Sequence, residues 1–273
     1  MFIRKVPGLV LGLLLLCSVL LAPVLVQAES DIHATFTVNT TTMNPDVNPG
    51  NGTCADSGGL CSLIAAMQEA NAYAGADIIS IPAGTFYLPG RLEPTETVTL
   101  NGAGMGSTII HGRDAGGQPA FQIKANVTIN SLEIRNFSQA IAIASTQANK
   151  TVALSEVRVT NCGNSSAELG PAITNSCSSC ALQISSSYIT NNFSDACGAV
   201  SNYGSLSISS STVSGNAAQS SYGGAVCSTG VNNSMSVTNS VIFSNSADNS
   251  DYGDGGAFDL RGGRSEEHTS ELQ

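Results

Sequence analysis

Three segments in the second half of the chain have nearly the same sequence. They begin at Leu182, Leu206 and Met235, and each alternates apolar with polar residues. An Asn closes every copy ten positions after its start, and a small-residue step such as Gly223-Gly-Ala-Val226 follows. The closing Asn residues recur after 24 and then 29 positions, and self-similarity at such a period is typical of a solenoid.

The alternation within each copy predicts short strands rather than helices. Pairs such as Leu182/Ile184 and Leu206/Ile208 have the period of a half-buried strand, and no copy has room for a long amphipathic helix. Short strands joined by Ser, Asn and Gly turns make one coil of a solenoid. The expected fold class is therefore all-β, a parallel β-helix whose coils stack at about 4.8 Å.

The closing Asn residues are candidates for a ladder of side-chain amides inside the stacked coils. The same pattern, traced backwards, adds two earlier positions to the three clear copies. The predicted ladder comprises Asn136, Asn161, Asn192, Asn216 and Asn245. In such a ladder each amide bonds to the next. The alternative is that each Asn only tolerates a left-handed turn.

Composition narrows the class of protein. Charged residues make up 11% of the chain, whereas about 25% is usual in globular domains. A solenoid would place like charges opposite one another, which is destabilising, so polar uncharged residues suit it. The net charge of −10 and the absence of a basic run argue against nucleic-acid binding.

The amino-terminal end predicts export. Residues 1–28 have a basic start, an apolar stretch and small residues before Ala28, which indicates a cleaved signal peptide. A membrane anchor is the alternative, because the apolar stretch approaches spanning length; Pro23 favours cleavage. The protein is therefore expected to be secreted or on the cell surface, with no membrane segment after cleavage.

Export makes the remaining cysteines candidates for disulfides. Cys54 and Cys61 bracket a Gly-rich loop and form the best pair. The pairing of the other five stays open, because five thiols cannot all pair within one chain. They are Cys162, Cys177, Cys180, Cys197 and Cys227. Cys177 and Cys180 have the spacing of a redox or zinc half-site, but no second half-site accompanies them. Cys197 and Cys227 occupy near-equivalent places in successive repeats.

One helix is predicted, at about residues 61–74. Leu63, Ala66, Met67 and Ala70 recur at helical spacing, and Gly75 would stop the helix. A solenoid needs a cover for the apolar interior at its end. We therefore assign residues 29–76 to an amino-terminal cap and 77–263 to coils, truncated at the carboxyl end.

Several segments of this cap resemble a known family. Phe36-Thr-Val-Asn39, Cys61-Ser-Leu63 and Glu69-Ala-Asn71 are similar to the CSLREA domain of exported bacterial β-helix proteins, and the likeness continues to about residue 112. The signature Arg-Glu-Ala-Ile is here Ile64-Ala-Ala-Met67. The Gly-Gly-Ala steps also resemble the repeats of polymorphic outer-membrane proteins. Both resemblances imply a right-handed, pectin-lyase-like β-helix, and neither implies a particular activity.

Residues 264–273 break the repeat pattern. The segment Arg264-Ser-Glu-Glu-His-Thr-Ser-Glu-Leu-Gln273 looks like a translated sequencing adapter rather than natural sequence. A real polar tail is the alternative. The absence of apolar alternation predicts that these residues are disordered.

No convincing catalytic set is present in the sequence. Asp195, Asp248, Asp251, Asp254 and Asp259 could face a substrate, with Arg261 nearby, but their loops differ in length. Hydrolysis requires two carboxylates at a defined separation. We therefore assign no catalytic or cofactor-binding residue. Calcium is the one possible cofactor, through an acidic loop for which a solvated surface loop is the favoured explanation.

The calcium candidates are Asp248, Asp251 and Asp254.

The sequence indicates an exported scaffold or adhesin-like protein without its own catalysis, which binds an extracellular polysaccharide or another surface ligand. Variable loops after each closing Asn would form the binding face. The alternative is a polysaccharide lyase or glycoside hydrolase of the same fold with part of its site missing.

Overall fold

The fold is taken from a computed structural model. It describes residues 34–112, 117–163, 170–219, 223–230, 233–248 and 256–261, together with the backbone of 264–268 and 271–272. Within these residues the strands form parallel sheets whose neighbours come from successive coils. The described residues therefore form a parallel β-helix with one helix near the first strand, which confirms the predicted fold class. The predicted signal peptide lies outside the described residues.

The first run of each coil forms sheet A1. Its strands pair in parallel and in register along the solenoid. In order they are β1 Thr35–Thr37, β2 Asp77–Ser80, β4 Val98–Asn101, β7 Val127–Arg135, β9 Thr151–Thr160, β11 Ala181–Ser185, β15 Ser205–Ser209, β19 Ser234–Thr238 and β23 Arg264–His268.

The second run of each coil forms sheet A2, which the ends of β7 and β9 join to sheet A1. The other strands of sheet A2 are β3 Gly84–Tyr87, β5 Thr108–His111, β12 Tyr188–Thr190, β16 Thr212–Ser214, β20 Val241–Phe243 and β24 Glu271–Leu272. Side chains alternate along both sheets, so Ile184, Ile189 and Leu206 point inward and are buried.

Two further sheets complete the coil. Sheet B contains β6 Pro119–Ile123, β8 Gln139–Ile143, β10 Ile173–Asn175, β14 Val200–Asn202, β18 Val226–Thr229 and β22 Phe258–Arg261. The short sheet C contains β13 Phe193–Ser194, β17 Ala217–Ala218 and β21 Ser246–Ala247. The buried apolar side chains form one core that extends from Phe36 to Ile242.

The helix α1 spans Leu63–Ala72 and lies within the predicted range. The Ser62 hydroxyl caps it by accepting a hydrogen bond from the Ala65 N–H at 3.0 Å. Leu63, Ala66, Met67 and Ala70 are buried. The helix packs on β1 and β2 at the start of sheet A1, which is the position expected of a cap.

Every coil described from β7 to β20 turns through two corners, and each corner places one residue in the left-handed conformation. At the corner between sheets A1 and A2 these residues are Ser131, Glu156, Ser186, Ser210 and Asn239. At the corner after sheet A2 they are Asn136, Asn161, Asn191, Gly215 and Ser244. Asn, Gly and small polar residues tolerate this conformation best.

The residue after the second corner points inward, and three of the predicted ladder residues occupy that position. The Asn192 amide donates to Asn216 Oδ1 at 3.0 Å, and the Asn216 amide donates to Asn245 Oδ1 at 2.8 Å. Asn136 and Asn161 instead lie one position earlier, at the left-handed corner, where their side chains are exposed. The five-residue ladder was therefore wrong for these two.

A serine ladder, which the sequence did not reveal, lies after the first corner. The Ser187 N–H donates to Ser211 Oγ, and the Ser211 N–H donates to Ser240 Oγ, both at 3.1 Å. Each hydroxyl in turn donates to the carbonyl two residues before it. These side chains are at most 4% exposed, so the ladder satisfies polar groups that would otherwise be costly to bury.

The strands β23 and β24 continue sheets A1 and A2 by pairing with β19 and β20. The expectation that residues 264–273 are disordered is therefore wrong for the described part of that segment. Backbone pairing does not depend on side-chain identity, and an open strand edge offers partners to any extended segment. The adapter origin of the sequence is a separate question and stays a prediction.

Candidate functional site

Two of the residues considered as candidates from the sequence meet on the outer face of sheet B. Asp259 and Arg261 lie two residues apart on β22, so both side chains point to the same side. The Arg261 Nε donates to Asp259 Oδ1 at 2.9 Å. The carboxylate is 8% exposed, whereas the guanidinium side chain is 51% exposed. Arg261 thus presents a cation that its partner holds in place.

The small-residue step before β14, β18 and β22 brings neighbouring coils of sheet B together. A Cβ atom added at Gly198 would lie 2.0 Å from the Gly224 carbonyl oxygen, and one added at Gly224 would lie 2.4 Å from that of Gly256. Only glycine allows so close an approach of two backbones. This close approach explains the Gly steps of the repeats.

A disulfide closes one side of this face. Cys197, in the loop after β13, is bonded to Cys227 on β18. Within the loop, the Ser194 hydroxyl accepts a hydrogen bond from the Cys197 N–H at 3.0 Å. The loop that follows the closing Asn192 is therefore held beside sheet B. Loops in this position are the ones that the repeat pattern predicts to form the binding face.

Tyr203 is presented to solvent by the residues on either side of it. The inward-pointing Asn202 donates to the Gly204 carbonyl at 2.8 Å and accepts from the Gly204 N–H at 3.3 Å. The same amide also donates to Ser228 Oγ of the next coil at 3.2 Å. Because both neighbours are buried, the ring between them points outward and is 45% exposed.

These groups line a partly open cavity of about 420 Å³, which we call the sheet B cavity. Its lining combines the disulfide with polar and charged side chains. The lining residues are Ala196, Cys197, Ser201, Tyr203, Cys227, Thr229 and Arg261. A volume of this size with a few convergent polar groups is typical of a small-ligand site. The combination of a ring, two hydroxyls and a guanidinium suits a sugar unit.

The second oxygen of Asp259 takes no part in the contact with Arg261. Its Oδ2 atom is buried and accepts no hydrogen bond from any residue that the structure describes. Leaving such an atom without a partner is unfavourable.

The remaining acidic candidates do not gather into a site within the described residues. Asp195 is partly exposed in the loop after β13, and Asp248 is exposed directly after β21. Asp251 and Asp254 lie outside the described residues, so the calcium site stays a prediction. No three His, Cys, Asp or Glu side chains among the described residues are placed to hold a metal ion.

The other cysteines have structural roles. Cys54 and Cys61 form a disulfide beside the capping helix, and Cys177 and Cys180 form another. Cys162 is a buried free thiol, and burial raises its pKa to about 12. A thiol that stays protonated at neutral pH is a poor nucleophile, so Cys162 serves packing.

Sequence reasoning missed Ser201, Tyr203 and Thr229. The available signal was that Tyr203 follows an inward-pointing Asn, but Asn is too frequent in this chain to mark one position. Strand alternation indicates which side chains point outward. It does not indicate which outward positions lie under a loop.

Comparisons with known proteins identify no family. No protein-family model matches the chain, and no curated protein matches it. Among solved structures, the chain is similar to the A-module of the mannuronan C-5 epimerase AlgE4 from Azotobacter vinelandii, at 12% sequence identity. The match covers 85% of this chain and 97% of that one, and its TM-score is 0.25. The fold assignment rests on the strand pairing, and the resemblance to the CSLREA domain stays a prediction. No helix among the described residues is long and apolar enough to cross a membrane.

Proposed function

We propose that this protein is an exported or cell-surface β-helix scaffold that binds an extracellular polysaccharide or a similar surface ligand without catalysing a reaction. The observation that supports this most is the sheet B cavity. It places the exposed Tyr203 ring beside the exposed Arg261 guanidinium. A saccharide can pack its apolar face on such a ring while its hydroxyl or carboxylate groups bond the polar wall.

The disulfides support the extracellular part of the proposal. Three pairs are bonded in the described residues: Cys54–Cys61, Cys177–Cys180 and Cys197–Cys227. Disulfides persist in oxidising compartments and are rare in the cytosol. They agree with the signal peptide predicted over residues 1–28.

A second candidate function is a polysaccharide lyase or glycoside hydrolase. Asp259 favours it, because this carboxylate contacts the cavity-lining Arg261 and its Oδ2 atom accepts no hydrogen bond from any described residue. Against this function, Asp259 already forms an ion pair with Arg261. Hydrolysis would also need a second carboxylate across the scissile bond. The proposal of binding without catalysis therefore stands first.

Binding and turnover of a panel of plant and bacterial polysaccharides would test the proposal. We expect retention on at least one polysaccharide and no release of products, with or without calcium. Tyr203→Ala should weaken that binding about tenfold, since loss of one stacking ring costs roughly 1.4 kcal/mol. Phe243→Ala, which removes an exposed aromatic ring of sheet A2 outside both proposed binding sites, is the matched control.

Two results would contradict the proposal. Equal retention of Tyr203→Ala and the unaltered protein would separate binding from the sheet B cavity. Product release that Asp259→Asn abolishes would establish the enzyme instead.

A further inference from the structure

A second group of polar and aromatic side chains lies on the outer face of sheet A2, away from the sheet B cavity. We call it the A2 patch, and it belongs to coils near the amino-terminal end. Two adjacent rows of register-matched residues form it: Tyr87, His111 and Arg135 in one, and Glu133, Arg158 and Tyr188 in the other.

The centre of the A2 patch contains two arginine side chains and one carboxylate, so positive charge exceeds negative charge there. The Glu133 carboxylate lies 3.3 Å from Arg135 Nη1 and 3.5 Å from Arg158 Nη1. The carboxylate side chain is 5% exposed, whereas the two arginine side chains are 34% and 42% exposed. The buried anion therefore holds two cations in place at the surface of a protein whose net charge is −10.

Hydrogen bonds within the chain do not use all of this charge. The Nε of Arg135 is buried and makes no hydrogen bond to any described residue, so only the outer N–H groups of this side chain face solvent. One carboxylate cannot saturate the ten N–H groups of two guanidiniums. Exposed guanidiniums are well suited to a carboxylate of a bound molecule, because two of their N–H groups match its two oxygens.

Aromatic rings stand at both ends of the A2 patch. The Tyr87 ring lies 4.9 Å from the His111 ring, and Asn136 holds His111 through Nε2 at 2.9 Å. At the other end the Arg158 guanidinium lies 5.7 Å from the centre of the Tyr188 ring. Tyr87 is 38% exposed and Tyr188 is 42% exposed. Both rings therefore offer a surface on which a sugar can pack.

We propose that the A2 patch is a second binding site, for an oligosaccharide that carries carboxylate groups. The patch crosses five neighbouring strands, β3, β5, β7, β9 and β12, a distance of about 19 Å at the usual strand spacing. That length suits several linked sugars better than one small anion. A nucleic acid fits poorly, because its dense negative charge would face a strongly acidic protein.

This second site does not depend on the sheet B cavity. The two sites share no residue and lie on different sheets, so either can fail alone. Tyr203→Ala should leave binding at the A2 patch unchanged, just as Tyr188→Ala should leave the sheet B cavity unchanged.

Titration of the full chain with an oligogalacturonate and with a neutral oligosaccharide of equal length would test the A2 patch. We expect tighter binding of the uronate, weakened by salt. Arg158→Gln should weaken it about tenfold, the loss expected for one charge-assisted contact. Arg91→Gln, at an arginine of matching exposure near the cap, should leave the affinity for the uronate unchanged. Circular dichroism melts would verify that each variant is folded.

Three outcomes would overturn the inference. The first is equal affinity for the uronate and the neutral sugar. The second is full affinity in folded Arg158→Gln. The third is equally tight binding of a short single-stranded DNA, which would indicate attraction to any polyanion.

Discussion

The coils before and after Cys162 turn through the same corners but fill them with different side chains. Up to that point the residue after each corner is apolar, as with Leu132, Val157 and Phe137. Beyond it the same positions hold Ser187 and Asn192 and their equivalents in later coils. The backbone path is thus compatible with either filling, provided that a polar filling satisfies its own hydrogen bonds.

The junction between the two regions shows how that condition is met. The Cys162 N–H donates to Asn192 Oδ1 at 3.0 Å, and the Val157 N–H donates to Ser187 Oγ at 3.0 Å. The last apolar coil therefore supplies backbone donors to the first polar coil. No side-chain oxygen at the end of either ladder is left facing an apolar residue alone.

The largest effect is expected where the apolar filling is removed. Phe137→Ala should lower the free energy of unfolding by about 3–5 kcal/mol, because it deletes a large ring that is 2% exposed and leaves a cavity. Urea unfolding followed by circular dichroism measures this. A loss below about 1 kcal/mol would mean that the corner collapses around the smaller side chain, and that the two fillings are not equivalent in packing.

A smaller but still large effect is expected in the polar filling. Asn216→Ala removes a side chain that bonds Asn192, Asn245 and the Ile189 carbonyl. It should cost about 2–4 kcal/mol, since each buried group left unpaired costs roughly 1–3 kcal/mol. Urea unfolding again provides the measurement.

The matched control for that ladder is Asn161→Gly. Asn161 was expected in the same ladder but occupies an exposed left-handed corner, where glycine fits without strain. Its replacement should change stability by less than about 0.5 kcal/mol. Equal losses for the two variants would show that the buried amides add nothing beyond the turn.

The smallest effect concerns pH and separates the coils from the cap. The Asn44 amide, with the Leu60 and Gly58 N–H groups, holds the pKa of Asp56 below its ordinary value. The folded-state pKa is thus lower than the unfolded one, so this stabilisation is present above about pH 4 and is lost as the pH falls through the folded-state pKa. Amides and hydroxyls of the ladders do not titrate in this range.

Hydrogen exchange at decreasing pH would detect that difference. Amides around the cap loop, residues 44–60, should lose protection before those of the Asn ladder, and Asp56→Asn should reduce the dependence on pH. Simultaneous loss of protection in both regions would contradict a cap with its own acid sensitivity.

Two other carboxylates of the cap also accept backbone hydrogen bonds. Glu69 is fully buried and accepts hydrogen bonds from the Gly50 and Gly52 N–H groups. Asp46 accepts from the Asn48 and Ala55 N–H groups. The loop before the helix is therefore ordered by carboxylates, whereas the corners of the later coils are ordered by neutral side chains.

The sequence predicted the fold because alternation and repetition are consequences of the strand pairing itself. The sequence did not show whether Asn136 and Asn161 belong to the ladder. Asn suits both the left-handed corner and the inward position directly after it, so a shift of one residue changes the assignment. Serine fills both faces of these strands, so the serine ladder had no distinct signal. The cavity and the A2 patch depend on register between coils, which only the structure provides.

The ladders also set a rule for how such a chain can change its length. The Asn192–Asn216–Asn245 stack bonds each coil to the next through identical contacts. A whole coil duplicated between Asn192 and Asn216 would find every partner it needs, whereas a partial coil would break both ladders. Gain or loss of complete coils is therefore the mutation that this half of the molecule tolerates best, and related chains should differ here in steps of one full turn.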